Sequence, residues 1–272
     1  SPRASRAAGY RHHATVDDDA KGRVRAESFA DHYSQARLFF RSQTASEQAH
    51  MAGALVFELS KVETPHVREA IVGHLRHIDA DLAKRVADGL GLEALPPASP
   101  TTVKPQDMPP SPALQIIGKM KPTLQGRCVG ILVDDGSDAA AIAALRTAAE
   151  AEGAQVKIVA PKIGGAKLGN GKRLPADGQL AGTPSVVFDA VALVLSDAAG
   201  KALASEAAAV DWVRDAFGHL KAIAHDDGAS AVIKAAGIGK DAGVVKASET
   251  AAFIKAARTR QFARESKGRH LH

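Results

Sequence analysis

Two pairs of adjacent carboxylates, Asp134-Asp135 and Asp226-Asp227, each precede a glycine, and His225 stands immediately before the second pair. Carboxylates and an imidazole gathered at strand ends are the groups from which general acid–base chemistry or a Mg²⁺ site is built. Asp134, Asp135, His225 and Asp226 are therefore the candidates for a small-molecule site in the crevice beyond the carboxyl ends of an open α/β sheet. The plainer reading of the same residues is a set of solvated turn caps, and paired acids carry the wrong charge to cradle a phosphate. The stretch 164–173, GGAKLGNGKR, fails as a phosphate loop. Ala166 stands where the first glycine is needed, Arg173 follows Lys172 in place of Ser or Thr, and no helix follows. Asn170-Gly171 instead predicts a hairpin turn. His12 and His13 lie near Asp17, Asp18 and Asp19, but adjacent histidines on an extended arm do not make a preformed metal site. Cys128, the single cysteine, sits inside an apolar run and reads as a small buried hydrophobe. No catalytic, cofactor-binding or metal-ligating assignment comes from these residues.

The elements that would position them fall into two halves. Residues 1–22 show no apolar periodicity and read as an extended or disordered arm. In residues 23–92 helices follow one another. Thr44 and Glu47 form a capping box, and Met51, Leu55, Leu59 and Val62 recur on one helical face. Thr64-Pro65 restarts a helix whose stripe is Val67, Ile71, Leu75 and Ile78, and Asp79 caps a turn carrying Leu82, Val86 and Leu90. A unit of that size buries little surface by itself, so its apolar faces are expected to pack on something larger. Residues 93–123 carry eight of the thirteen prolines, which favours an extended linker. Residues 124–272 alternate strand and helix: strands at 127–133, 155–160, 190–195, 221–225 and 244–245, helices at 138–152 (capped by Ser137), 204–220, 228–236 and 248–265. This pattern predicts an α/β fold with a doubly wound, flavodoxin-like parallel sheet.

Composition narrows the classes further. Of 272 residues, 45% are hydrophobic but only 4% aromatic, so the cores must be built from Ala, Val, Leu and Ile. One cysteine allows no intrachain disulfide and suits a reducing compartment. No apolar run reaches a membrane span and no signal peptide opens the sequence, so a soluble, cytoplasmic protein is expected. The net charge of +5 gathers in part in residues 255–272. With no aromatic platform or recognition helix beside it, that tail reads as a solvated terminus and not as a nucleic-acid site.

The strand ending KAIAHDDG resembles the fourth strand of the class I glutamine amidotransferase-like fold, whose enzymes carry a cysteine at a strained elbow directly after it. His225-Asp226-Asp227-Gly228 offers neither cysteine nor serine there, so amidotransferase, protease and deglycase activities are excluded. A more specific resemblance joins both halves. Residues 28–40, SFADHYSQARLFF, with Ser42-Gln43-Thr44, Glu47-Gln48 and 57–62, FELSKV, resemble the end of the haem-catalase core in large-subunit catalases. His77-Ile78-Asp79, Leu82-Ala83, residues 89–92, Gly126-Arg127 and Phe188-Asp189-Ala190 continue it, so that it covers most of the chain from residue 24. The resemblance implies haem-dependent dismutation of hydrogen peroxide in the full-length relatives, a defence against oxidative stress carried out by tetramers. It also implies that the haem pocket precedes this segment. Neither Tyr10 nor Tyr33 has the family's haem-ligand setting, and no catalytic residue carries over. The expected role is stability and oligomer assembly, with the catalase core and tetramer mates as partners and no haem bound by this chain. The alternatives are a stand-alone chaperone-like or binding module and a small-molecule enzyme at the sheet crevice.

Overall fold

The computed structural model describes residues 22–265. The arm readings at His12, His13 and residues 17–19 lie outside the described residues, as does the end of the basic tail. The chain divides between Gln115 and Ile116 into two units.

In the first unit four helices follow a short 3-10 turn: α1 (Ser34–Ser42), α2 (Ala45–Ser60), α3 (Pro65–Ile78) and α4 (Ala80–Gly89). The Thr44–Glu47 capping box is present: the Glu47 N–H donates to the Thr44 hydroxyl and the Thr44 N–H to the Glu47 carboxylate. The Asp79 carboxylate accepts from Asp81 and Leu82 N–H at the start of α4. Phe40, Ala52, Leu59, Val72, Leu75, Leu82, Ala83, Val86 and Ala87 make the core. Helix α3 turns Val72 fully inward and leaves Val67 38% exposed, so its buried face is rotated from the expected stripe. Proline leaves the following segment extended, and its remaining polar groups bond back to the helices. Ser99 N–H donates to the Gly73 carbonyl (3.1 Å), and Gln106 and Ser111 N–H donate to the Ser34 and Ser42 hydroxyls (both 2.8 Å).

The second unit contains β1 (Cys128–Val133), α5 (Ala139–Ala151), β2 (Gln155–Ala160), β3 (Ala166–Lys167), β4 (Arg173–Leu174), β5 (Gly178–Gln179), β6 (Ala190–Val194), α6 (Asp197–Leu203), α7 (Ala207–Gly218), β7 (Ile223–His225), α8 (Ser230–Ala236), β8 (Val244–Lys246) and α9 (Thr250–Ala257). Six strands form one sheet in the order β5-β2-β1-β6-β7-β8, and every pairing is parallel. Chain direction across the sheet reverses between β1 and β6, which makes that gap the topological switch point. The period-two alternation of strands sorts side chains onto two faces. Val129, Ile131 and Val133 with Ala190, Ala192 and Val194 meet α5 and α9. Leu132, Val191, Leu193 and Ile223 meet α6, α7 and α8. Helices therefore cover both faces, as the alternating pattern requires. The Asn170-Gly171 hairpin is the small antiparallel pair β3–β4, with Gly171 at φ 82°.

Three local expectations are corrected. Asp138, not Ser137, caps α5, because its carboxylate accepts from Ala140 N–H at 2.8 Å while Ser137 is fully buried. The helix expected at 204–220 is α7 (Ala207–Gly218), and a further helix, α6, precedes it at Asp197–Leu203, capped by Ser196 through Ala199 N–H. The closing helix ends at Ala257, where the chain turns so that Gln261 N–H can donate to the Leu220 carbonyl at 2.8 Å.

One buried cation sits at the entry to β7. Lys221 is 2% exposed and donates to the Ser185 and Val186 carbonyls at 2.7 and 2.9 Å. Burial lowers its pKa to about 8, helped by the charge of Arg260. The folded protein releases this proton near pH 8 while the unfolded chain holds it to about 10.5, so stability rises with pH between those values. Urea midpoints of the wild type and Lys221→Met measured at pH 7.5, 9 and 10 should diverge in favour of the wild type, by at most roughly 1.4 kcal/mol per pH unit. Parallel curves would contradict a lowered lysine.

Candidate functional site

The loops after β1, β6 and β7 meet at the carboxyl ends of the central strands. Their sequences are rich in Asp, Ser and Gly, residues whose side chains cap helices or whose small size admits close backbone contact. Nearly every polar group there is engaged with another loop. Asp135 Oδ1 accepts from Lys167 N–H at 2.7 Å, and Gly136 N–H donates to the Lys167 carbonyl at 2.8 Å, which ties the β3–β4 hairpin to the first turn. The Asp134 carboxylate accepts from Asp135 N–H at 2.8 Å. The Ser137 hydroxyl lies 2.6 Å from both the Asp134 and Val194 carbonyls and bridges the switch point. The Ser196 hydroxyl donates to the Asp135 carbonyl at 2.8 Å.

Asp226 opens the turn after β7. Its carboxylate accepts from Leu195 N–H (2.8 Å) and Ala229 N–H (3.0 Å), fastening β6 to the start of α8. Burial pushes the Asp226 carboxyl up, and those two backbone donors pull it partly back. Strain is absent at this position: among the described residues the only non-glycine with positive φ is Leu220, which precedes β7. His225 is 7% exposed, and its Nδ1 lies 2.8 Å from the Asp226 carbonyl. A carbonyl only accepts, so Nδ1 carries the proton.

The four sequence candidates thus form two separate groups. Asp134 and Asp135 shape the first turn and its contact with the hairpin, whereas His225 and Asp226 shape the β7 turn. Asp227, 91% exposed, pairs with Lys246. Among the described residues no group of three or more His, Cys, Asp and Glu side chains is placed to hold a metal ion. Cys128 is half-buried in β1, and burial raises its thiol pKa, which disfavours the thiolate.

Close backbone approach seals the region further. A Cβ on Gly228 would overlap the Leu195 carbonyl, and one on Gly200 would overlap the Gly228 carbonyl. Gly228→Ala should therefore cost about 1–3 kcal/mol through overpacking, measured as a lower urea midpoint. A neutral result would mean that the loops yield easily. Ser137 and Gly228 were the groups that sequence reasoning undervalued. The available signal was the recurrence of Asp-Asp-Gly followed by a small residue after two strands.

In the first unit, Tyr33 is 8% exposed and its hydroxyl lies 2.8 Å from His74 Nδ1. Its ring stacks on His77 at 4.6 Å, and His77 Nε2 donates to the Ser99 carbonyl at 2.5 Å. Arg37 and Arg41 converge on Asp107, whose carboxyl is held below its ordinary pKa by both. These groups hold the proline-rich segment to the helices. Phe57 is 62% exposed, Phe29 65% and Phe39 43%.

Comparison with known proteins follows the same division. Residues 26–90 match the family described as catalase-related immune-responsive, and residues 125–261 match the C-terminal domain found in long catalases. The chain is 48% identical over 259 residues to Catalase C of Rhizobium meliloti, covering 93% of this chain and 37% of the relative. It is 38% identical over 246 residues to Catalase HPII of Pseudomonas aeruginosa, covering 90% of this chain and 34% of that protein. Catalase-2 of Bacillus subtilis is 33% identical over 260 residues, 94% of this chain and 37% of that protein. The chain thus spans little more than a third of the length of these relatives.

Proposed function

Because this chain belongs to the family of C-terminal domains found in long catalases, we propose that it serves the stability and oligomer assembly of a peroxide-dismuting catalase and does not itself carry the reaction. The observation that carries this reading is the set of exposed aromatic side chains on the helical unit, Phe29, Phe39 and Phe57. Exposed rings on a unit too small to bury much apolar surface by itself support a second body that covers them. Haem belongs, in this reading, to the part of the longer relatives outside the aligned span. In support, the Tyr33 hydroxyl is already engaged by His74. The turn after β7 offers a capping carboxylate in place of a nucleophile. A flavodoxin-like relationship of the sheet unit is part of the same reading, supported by the parallel order β2-β1-β6-β7-β8. So are the tetrameric partners and a cytoplasmic setting, the latter supported by the lone cysteine. Among the described residues no helix is long and apolar enough to cross a membrane.

The test is reconstitution. The Rhizobium meliloti relative, shortened to the part outside the aligned span, is mixed with this chain and its thermal inactivation followed. A rise in half-life that Phe39→Asp/Phe57→Asp abolishes supports docking through the helical unit. No rise at any ratio would overturn it. The same aromatic side chains support a second reading, in which the chain binds partly unfolded proteins; slower aggregation of a heated test protein, reversed by the same double substitution, would favour that reading.

A further inference from the structure

Chemistry that the turns after β1 and β6 leave unused lies at the edge of the sheet. Strand β8 ends the six-strand order, and on the α8 side of it lies a cavity of about 350 Å³. Three ammonium groups line it, Lys234, Lys240 and Lys246, together with His225 and the apolar walls of Ile233 and Ile238. No carboxylate is among the lining residues, and one of the lysines, Lys246, pairs with Asp227. His225 is the built element. Its side chain is almost wholly buried, its Nδ1–H is fixed on the Asp226 carbonyl, and Nε2 has no protein partner among the described residues. We propose that this cavity binds a small phosphate-bearing ligand.

Three lysines offer point charges and several donors each, which suit the many acceptor positions of a phosphate. With Nδ1–H committed to the Asp226 carbonyl, Nε2 is an acceptor that can take a hydrogen bond from a hydroxyl of the ligand. The volume lies at the small end of ligand sites, and the two isoleucines give the cavity an apolar side, so a compact phosphate ester fits the lining better than a bare ion. The plain alternative is that the lysines only keep an exposed sheet edge from pairing with another strand. That alternative leaves the buried imidazole unexplained.

Calorimetric titration of the full chain at constant ionic strength separates the two, with inorganic phosphate and ribose 5-phosphate as probes and sodium chloride as the screening control. Saturable binding is expected, at least tenfold weaker in Lys240→Gln/Lys246→Gln and in His225→Gln, and changed less than twofold in the remote control Lys162→Gln/Lys172→Gln. Tighter binding of the ester identifies an esterified phosphate as the ligand, and equal affinities identify free phosphate. A response that sodium chloride reproduces, or one that the remote control loses equally, overturns the proposal. Circular dichroism verifies that each variant is folded, and the exposed single variant Lys240→Gln gives the same test if the double variant is not. The result is independent of whether the chain docks on a catalase body.

Discussion

Replacing Arg264 with alanine should remove about 3–5 kcal/mol from the stability of the sheet unit. The Arg264 side chain is wholly buried beyond the end of α9. Nε and Nη2 form a fork on the Asp241 carboxylate at 2.7 and 2.9 Å, and Nη1 donates to the Lys221 carbonyl at 2.7 Å. The guanidinium also lies 4.1 Å from the centre of the Phe217 ring. Truncation takes the two guanidinium donors from the Asp241 carboxylate, which still accepts from Gly243 N–H at 2.8 Å, and the Nη1 donor from the Lys221 carbonyl; removing one partner of a buried pair costs far more than removing both. The Arg264→Ala/Asp241→Ala double variant should therefore be more stable than Arg264→Ala alone. Urea unfolding followed by circular dichroism gives both values, with the sheet unit's transition fitted separately. A loss below about 1 kcal/mol would show that the fork is incidental.

Trp212→Ala should be comparably severe, at about 3–5 kcal/mol. In a chain whose cores are mostly Ala, Val, Leu and Ile, this indole is the largest fully buried side chain. It sits on α7 with its ring 6.1 Å from that of Phe188, edge to face, and its Nε1–H donates to the Thr183 carbonyl at 3.1 Å. Alanine opens a cavity that rigid neighbouring strands cannot collapse into, and it orphans the Thr183 carbonyl. Trp212→Phe should recover most of the packing while still lacking the donor, and so fall between the two. Equal losses for Phe and Ala would mean that the hydrogen bond, and not volume, dominates.

These two positions also mark the limit of what the chain discloses before folding. Periodicity and caps identify α1–α5 and the alternation of parallel strands, because Thr44, Thr64-Pro65 and Asp79 are local signals and the apolar runs are long. Helix α6 carries no such signal: it is seven residues long with Gly200 inside it, too short for an apolar stripe. The shortening of α9 is decided by tertiary contact, through the Gln261–Leu220 hydrogen bond. The two-residue strand β5 is below any pattern's reach. The candidate site shows the same limit more sharply. Asp134, Asp135, His225 and Asp226 were identifiable as polar groups at strand ends. Asp134 and His225 bond to the neighbouring residue, while the Asp135 and Asp226 carboxylates bond to backbone N–H groups of distant loops, at Lys167 and Leu195, which no side-chain alphabet encodes. Lys234, Lys240 and Lys246 stand twelve residues apart from first to last, and only the bend between α8 and β8 places them around one cavity.

The proposed role of this chain is to support a catalase without performing its chemistry. Its most direct test is an absorbance spectrum of the purified chain after expression with added haem, read beside oxygen evolution from hydrogen peroxide. A flat Soret region with no oxygen is the predicted result. A stoichiometric Soret band with turnover would contradict the claim and require a haem ligand within these 272 residues.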